Sequence, residues 1–574
     1  MTMFYKQNTE FIELTENYPW VNILSKKKYL MLLSGAIDMY ADYILKSNNV
    51  FDSVRDKPFA GIVAVSGNRI SGVFDKDCLE EHRGENTKVI DCGNRLVMPG
   101  FIDSHTHTGM AMDFLDESYC VDISSARNFH EIMMIMKGYE KRYPDNKVIF
   151  GINFNLFELD EYFVPDINAM DEYFPDKAAL IMTWDVHTFF ANSKAVEMAG
   201  ITKNTPDPNG GIGKYKNGEL NGIFNDTAAF ALQKIVDRPV EERKKSLEIY
   251  MKKVNSLGIT SVGDLYPCGV TKPYKLYKEM EDKLSLRIHF YPELLSFTSE
   301  EIAEYRKNYS SDMLQFAGLK NLIDGVLTVY TAWMLEPYAN NPETSGFPAV
   351  PVEQVREKML EAISQGINLR IHTIGDKAVR YVLDIFEEAE KKYGRLDRRH
   401  NMEHIEYIDP DDIPRFARLG IVANMHFRHC TFYIDEAVKY LGKMREKYCF
   451  NWKSILETGA TIGTGSDFPV VGLDPMQGVY AGVTRCRDDG YPDGGWFPEQ
   501  RLSLSEVLRA YTYGGACALN RDRELGTLEA GKLADITVLD RNIFDVTPGE
   551  LLETETLMTI LDGKIVYKKT GCLV

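Results

Sequence analysis

Between Leu96 and Val470 the chain repeats one pattern eight times: a short apolar run ending in a polar or charged residue, then a stretch of helical character. The runs are LVMPGFIDSHTH, GITSVGDLY, LSLRIHFYPE, FAGLKNLIDG, GINLRIHTIGD, RHNMEHIEY, GIVANMHF and ATIGTGSDFPV. Stretches such as VEQVREKMLEAISQG and AVRYVLDIFEEAEKKYG lie between them, their apolar residues recurring at three and four before a glycine, as in outer helices that end on a glycine stop. Alternating β and α elements build a parallel sheet, and eight such units are the number that closes into a barrel. The expected fold class is therefore α/β, a (β/α)8 TIM barrel spanning residues 98–519.

Both chain ends depart from this rhythm. FAGIVAVSGNRISGVF with VIDC near the start, and ADITVLDRN with LMTILDGKIVYKK at the end, alternate β-branched with polar residues around Gly-Asn and Asp-Gly turns. The simplest assembly joins residues 56–97 and 520–574 in one small β-sandwich. Residues 1–55 form an N-terminal extension in which MLLSGAIDMYADYIL reads as helical. About 150 residues separate the first barrel run from the second, far more than a crossover needs. The excess, at about 112–250, contains aromatic-rich pieces and the hairpin-like GGIGKYKNGELNG. Following the first strand, it sits over the face where barrel active sites lie and is expected to be a lid.

Composition narrows the partners. With 84 acidic against 66 basic residues and a net charge of -18, most of the surface opposes phosphate backbones and anionic membranes, so nucleic acid is not an expected partner. No apolar run approaches the ~20 residues of a spanning helix, and the opening MTMFYKQNTEFIEL lacks the basic and apolar regions of a signal peptide. A cytoplasmic location is the default expectation. The nine cysteines form no C-x-x-C pair and read as free thiols. A homodimer is the common assembly for a soluble chain that oligomerises.

His105 and His107 stand two apart in DSHTH, so on a strand both imidazoles face one way. Alone, the pair is equally well read as capping a strand end. His372 closes the fifth run, His404 the sixth and Asp467 the eighth, which directs them all into the same barrel mouth. Burying these groups together without a cation would cost roughly 2 to 7 kcal/mol for each polar group left unpaired. A divalent metal removes that cost, and nitrogen with oxygen donors suits zinc first, then iron or manganese. Lys320 in GLKNLIDG would be expensive as a bare cation beside a metal. Carboxylation would make it a bridging anion; snorkelling to solvent or pairing with Asp324 are the plainer alternatives.

The order H-x-H, Lys, His, His, Asp on runs one, four, five, six and eight, together with MPGFIDSHTH, HTIGDKA, EHIEY and GSDFPV, resembles the amidohydrolase superfamily. NSKAV, DGVL before TAWMLEPY, GSDFPVVGLDP and GTLEAGKLADITVLD resemble its amidohydrolase type 3 (YtcJ-like) group, which includes N-substituted formamide deformylase. The match runs from about residue 58 to the C-terminus. The resemblance implies that His105, His107 and Asp467 hold one metal, that His372 and His404 hold a second where one is present, and that carboxylated Lys320 bridges them. It also implies that Asp467 is catalytic, taking the proton of an attacking water and delivering it to a leaving nitrogen. The reaction expected is metal-assisted hydrolysis of a C–N bond, in an amide, formamide or cyclic amide of a small organic molecule. An esterase or deaminase using the same centre, and a non-catalytic ligand-binding barrel, are the alternatives.

Four further residues are candidates for substrate contact. His187 in TWDVHTFFANS matches a histidine stretch of the YtcJ-like group and is placed as a catalytic residue hydrogen-bonding the substrate carbonyl or intermediate, with simple packing beside aromatics as the alternative. His426 ends run seven, where the superfamily takes no metal ligand, and so is assigned to substrate. Trp184 and Trp333 are candidate pocket walls, although most aromatics in a chain with 11% of them must be core. Asp376 is read as supporting His372 or Lys377, or as a helix cap.

Overall fold

A computed structural model describes residues 40–571 apart from 157–158, 162, 185–187, 207–210, 226–227, 266–272 and 396–398. All eight apolar runs form strands: β1 Phe101–Thr106, β2 Ile259–Leu265, β3 Arg287–Tyr291, β4 Leu319–Leu322, β5 Leu369–Thr373, β6 Asn401–His404, β7 Val422–Asn424 and β8 Ile462–Gly463. β1 to β3 pair in parallel and in order, as do β4 to β8. Two seams join these arcs. At one, Lys320 N–H donates to Pro292 O and Leu294 N–H to Lys320 O, both at 2.8 Å. At the other, Ser104 N–H donates to Thr464 O at 3.2 Å and Asp467 N–H to His105 O at 2.7 Å. The ring they complete leaves no unpaired strand edge inside the barrel.

The strands are runs rather than alternations because a parallel sheet is covered on both faces. Every residue of β1, β2, β3, β5, β6 and β7 is buried. The β8–β1 seam also explains a glycine: a Cβ on Gly465 would lie 2.4 Å from His105 N and 2.7 Å from Asp103 Oδ1. Outside the ring, helices Val352–Ser364 and Asp376–Tyr393 bury one stripe each, the second through Val379, Val382, Leu383 and Phe386, as amphipathic periodicity requires.

The two chain ends meet in a seven-stranded sheet, in spatial order Lys564–Lys568, Thr556–Leu561, Ile536–Leu539, Lys88–Pro99, Tyr43–Val50, Phe59–Ser66 and Arg69–Asp75. Ile536–Leu539 lies antiparallel to Lys88–Pro99 and joins the ends. The sheet starts upstream of residue 56, and the last part of MLLSGAIDMYADYIL is strand rather than helix; residues 31–39 lie outside the described residues. Neighbouring Ile44 and Leu45 are both buried, in different apolar clusters, because adjacent strand residues point to opposite faces and both faces here are covered. Arg287 of β3, fully buried, ties barrel to sheet: it donates to both oxygens of Asp535 at 2.7 and 2.9 Å and to Asp562 at 3.0 Å.

Between β1 and β2 the chain builds a six-stranded sheet of its own, in order Ile212–Lys214, Leu220–Asn225, Thr188–Ala191, Ala178–Thr183, Val148–Phe154 and Val121–Asp122. Two apolar clusters belong to this insertion. It reaches the barrel mouth where Trp184 packs against Phe432, ring centroids 5.4 Å apart, in the turn that follows β7. Among the described residues no helix is long and apolar enough to cross a membrane.

Candidate metal centre

Six imidazoles and three carboxylates converge at the C-terminal mouth of the barrel. His105 sits inside β1 and His107 just beyond it. Their Nε2 atoms face a single oxygen, Asp467 Oδ1, at 3.2 and 3.0 Å. Behind each ring an anchor fixes the other nitrogen: His105 Nδ1 lies 2.6 Å from Glu403 Oε2, and His107 Nδ1 donates to Leu265 O at 2.7 Å. Glu403 is clamped in turn by Arg370 at 2.8 and 3.0 Å and by Asn424 at 2.7 Å. Arg370 closes the network on Ser104 O at 2.7 Å. The rings are therefore aimed by buried partners on other strands of the barrel, the arrangement that orients metal-ligating histidines.

β6 turns sharply at the centre. His404, Ile405 and Asp467 have φ of 69°, 49° and 56°, the left-handed region that a β-branched residue such as Ile405 avoids. Such residues cost on the order of 1–3 kcal/mol each and persist where the surroundings over-determine them. The turn presents His404 to His372, His105 and His426, with ring centroids at 4.4, 5.0 and 4.7 Å. His426 anchors its Nδ1 on Gly465 O at 3.1 Å. His105, His404, His426 and Asp467 each bring one ligand atom within 4.8 Å of the others, and so do His404, Glu406 and His429.

The donor set fits a cation. With its Nδ1–H given to Leu265, a His107 ring carrying no second proton would turn a lone pair toward Asp467 Oδ1. An acceptor facing an acceptor at that distance repels unless a proton or a metal ion lies between. His404 Nδ1, His426 Nε2, His429 Nε2, Glu406 Oε2 and Asp467 Oδ1 are all buried without a hydrogen-bond partner, a cost that coordination removes. Burial, reinforced by neighbouring imidazoles, holds His404 and His426 well below the ordinary histidine range, and burial beside Lys320 takes His372 to about 3. These rings are neutral at physiological pH, the form that binds metals. Burial alone would raise Asp467, but a proton carried on the facing rings of His105 and His107 holds it well below the usual carboxylate range.

The remaining sequence candidates fall as follows. Lys320 lies in β4 with 2% exposure and does not snorkel to solvent; its charge bears on His105, His107, His372 and Glu403. Asp324 spends its oxygens on the N–H groups of Trp333, Ile374 and Gly375 at 2.8, 3.0 and 2.9 Å. Burial raises its carboxyl to about 7. His372 Nε2 lies 3.3 Å from Gly325 O. Asp376 accepts Leu335 N–H at 2.7 Å and so braces the loop after β4. Trp333 packs on Lys377 and Tyr381. His187 lies outside the described residues. His426, expected to touch substrate, also stands among the potential ligand atoms, its ring aimed from β7 by a carbonyl of the β8 loop. Sequence reasoning missed Glu403, Arg370, Asn424, Glu406 and His429. The signals were the acidic residues on either side of the His404–Ile405 pair and the spacing of His429 three beyond His426.

A profile of the amidohydrolase family matches residues 88–567. The chain is 30% identical to YtcJ of Bacillus subtilis over 519 residues, covering 88% of this chain and 96% of that protein. It is 28% identical over 532 residues to N-substituted formamide deformylase of Arthrobacter pascens, covering 89% and 96%. Its fold is similar to that of an uncharacterized metal-dependent hydrolase from Pyrococcus horikoshii, with a TM-score of 0.72 at 24% identity over 88% of this chain and 99% of that one. A family profile spanning the barrel and the end-sheet strands from Lys88 onward, on a chain whose barrel mouth carries H-x-H, two further strand-end histidines and an aspartate, leaves one assignment: the chain belongs to the amidohydrolase family.

Proposed function

We propose that the protein is a metal-dependent hydrolase that cleaves a carbon–nitrogen bond, in an amide, formamide or cyclic amide, within a small organic molecule. The observation that carries this reading is the pair of ring nitrogens, His105 Nε2 and His107 Nε2, facing one oxygen of Asp467 at 3.2 and 3.0 Å. His105, His107, His426 and Asp467 would hold the ion, with His404 at its β6 edge and His372 and Lys320, carboxylated or not, on the β4–β5 side. Zinc suits this nitrogen and oxygen set first. When bound, a divalent ion would supply water activation near neutral pH and polarisation of a scissile carbonyl.

The chain's own part is positioning and proton transfer. Asp467, kept ionised by the facing imidazoles, accepts the proton of the attacking water and returns it to the leaving nitrogen. Glu403 and Leu265 O hold the two β1 rings in fixed tautomers. Trp184 packs on Phe432 at the β7 side of the mouth. The choice of a C–N bond is supported by the similarity to N-substituted formamide deformylase along most of both chains.

The test is one scaffold offered to zinc-loaded protein as its amide, formamide, ester and amine. Turnover of the amide or formamide is expected. Turnover of the ester alone would make the protein an esterase, and release of ammonia from the amine alone a deaminase. Unchanged ligand binding after metal removal, with no turnover of any of the four, would mark a binding protein.

A further inference from the structure

Asp467 has two oxygens, and only one faces the β1 histidines. Its Oδ2 points the other way, 3.5 Å from His429 Nε2 and 4.0 Å from His404 Nδ1. His429 lies in the 3₁₀ turn Phe427–Phe432, and its N–H donates to His426 O at 3.1 Å. Side chains three apart eclipse in such a turn, so His426 and His429 lie on the same side, ring centroids 4.9 Å apart and tilted by 52°. His429 repeats the design of His105: Nδ1 is held by a buried carboxylate, Glu406 Oε1 at 3.1 Å, while Nε2 faces Asp467. Both residues are 6% exposed. His429 Nε2, His404 Nδ1 and Glu406 Oε2 are buried with no hydrogen-bond partner. The ligand atoms of His404, Glu406 and His429 lie within 4.8 Å of one another.

We propose that a second cation position lies on the β7 side of Asp467, held by His404, His429 and Asp467 Oδ2, with Glu406 fixing His429 so that its Nε2 faces the ion. It rests on the metal-hydrolase reading above and departs from a second ion held between His372 and Lys320. Asp467 is then a bridge, one oxygen for each position. The Trp184–Phe432 contact roofs this second position, since Phe432 is 6.3 Å from the ring of His429. The competing account is that a proton fills the role, with His429 and Glu406 a buried ion pair.

Cobalt(II) or zinc alone is the probe. Crystals of the full-length protein soaked in either ion are measured at its absorption edge, and metal content after dialysis is read by mass spectrometry. The expected result is an anomalous peak between His404, His429 and Asp467, in addition to one beside His105 and His107. His429→Ala should remove the former peak and one equivalent of metal while the latter stays. Glu406→Gln, which keeps the shape of the side chain, should weaken the second equivalent by roughly 10- to 100-fold. A peak beside His105 and His107 alone, or a second peak between His372 and Lys320, would overturn the proposal and leave the hydrolase reading standing. No stoichiometric metal in the wild-type protein would overturn both.

Discussion

Glu403 stands 2.6 Å from His105 Nδ1 across the barrel interior, joining β6 to β1 through a carboxylate that Arg370 and Asn424 also hold. The residue next to one potential ligand, His404, thus aims another. Burial would push its carboxyl up, but Arg370 and His105 keep it well below the usual range, so it acts as a fixed negative charge.

Replacing Glu403 with Gln should therefore have two effects. Arg370, fully buried, loses its counter-charge, a change that costs about 3–5 kcal/mol for a broken buried pair. His105 loses the anchor that sets its tautomer, and zinc affinity falls roughly 10- to 100-fold. Denaturant melts and zinc titrations report the two separately. Unchanged zinc affinity would show that Glu403 does not aim the ring.

Asp467→Asn keeps the shape of the side chain but not its basicity. Turnover of the amide substrate at saturating zinc should fall by about 10²- to 10⁴-fold, the usual contribution of a positioned acid–base group. Single-turnover kinetics on the zinc-loaded variant provide the measurement. A loss of less than about tenfold would remove Asp467 from proton transfer.

Arg287→Met preserves the bulk of the side chain and leaves Asp535 buried without its bidentate partner. The variant should be destabilised by about 3–5 kcal/mol. Adding Asp535→Asn should return part of that loss, since the two residues share one interaction. If the double variant is as unstable as the sum of the single ones, the pair does not couple barrel to sheet.

Asp376 gives a pH-dependent prediction. Burial raises its carboxyl from 3.8 to about 6, so the folded state holds a proton that the unfolded chain has released. Below about pH 4 both states are protonated and nothing is lost. Between about pH 4 and 6 stability falls as pH rises, and above that the penalty is constant at roughly 3 kcal/mol. Asp376→Asn still accepts Leu335 N–H and should be more stable than wild type at pH 7 but not at pH 4. Unfolding free energies over this range decide it, and parallel curves for the two proteins would refute the assignment.

Much of the centre was legible because strand periodicity is local. H-x-H places two rings on one side of a strand whatever surrounds it, and a polar residue closing an apolar run lies at a strand end. That logic located His105, His107, His372, His404 and Asp467, and eight such runs specified the barrel. It failed at Ile44 and Leu45, where a short apolar segment reads as helix until both of its faces are seen to be covered. It also passed over Glu403 and His429, whose importance depends on what lies opposite them.

The order of elements and the residue types at strand ends are written in the chain itself, because backbone sterics and the burial of apolar side chains act through near neighbours. Which nitrogen of each imidazole faces the centre was settled only by folding. Leu265 O, Gly465 O, Glu403 and Glu406 come from β2, the β8 loop and the β6 end, and a hydrogen bond that selects a tautomer needs its partner within about 3 Å, a distance that only closure of the barrel supplies.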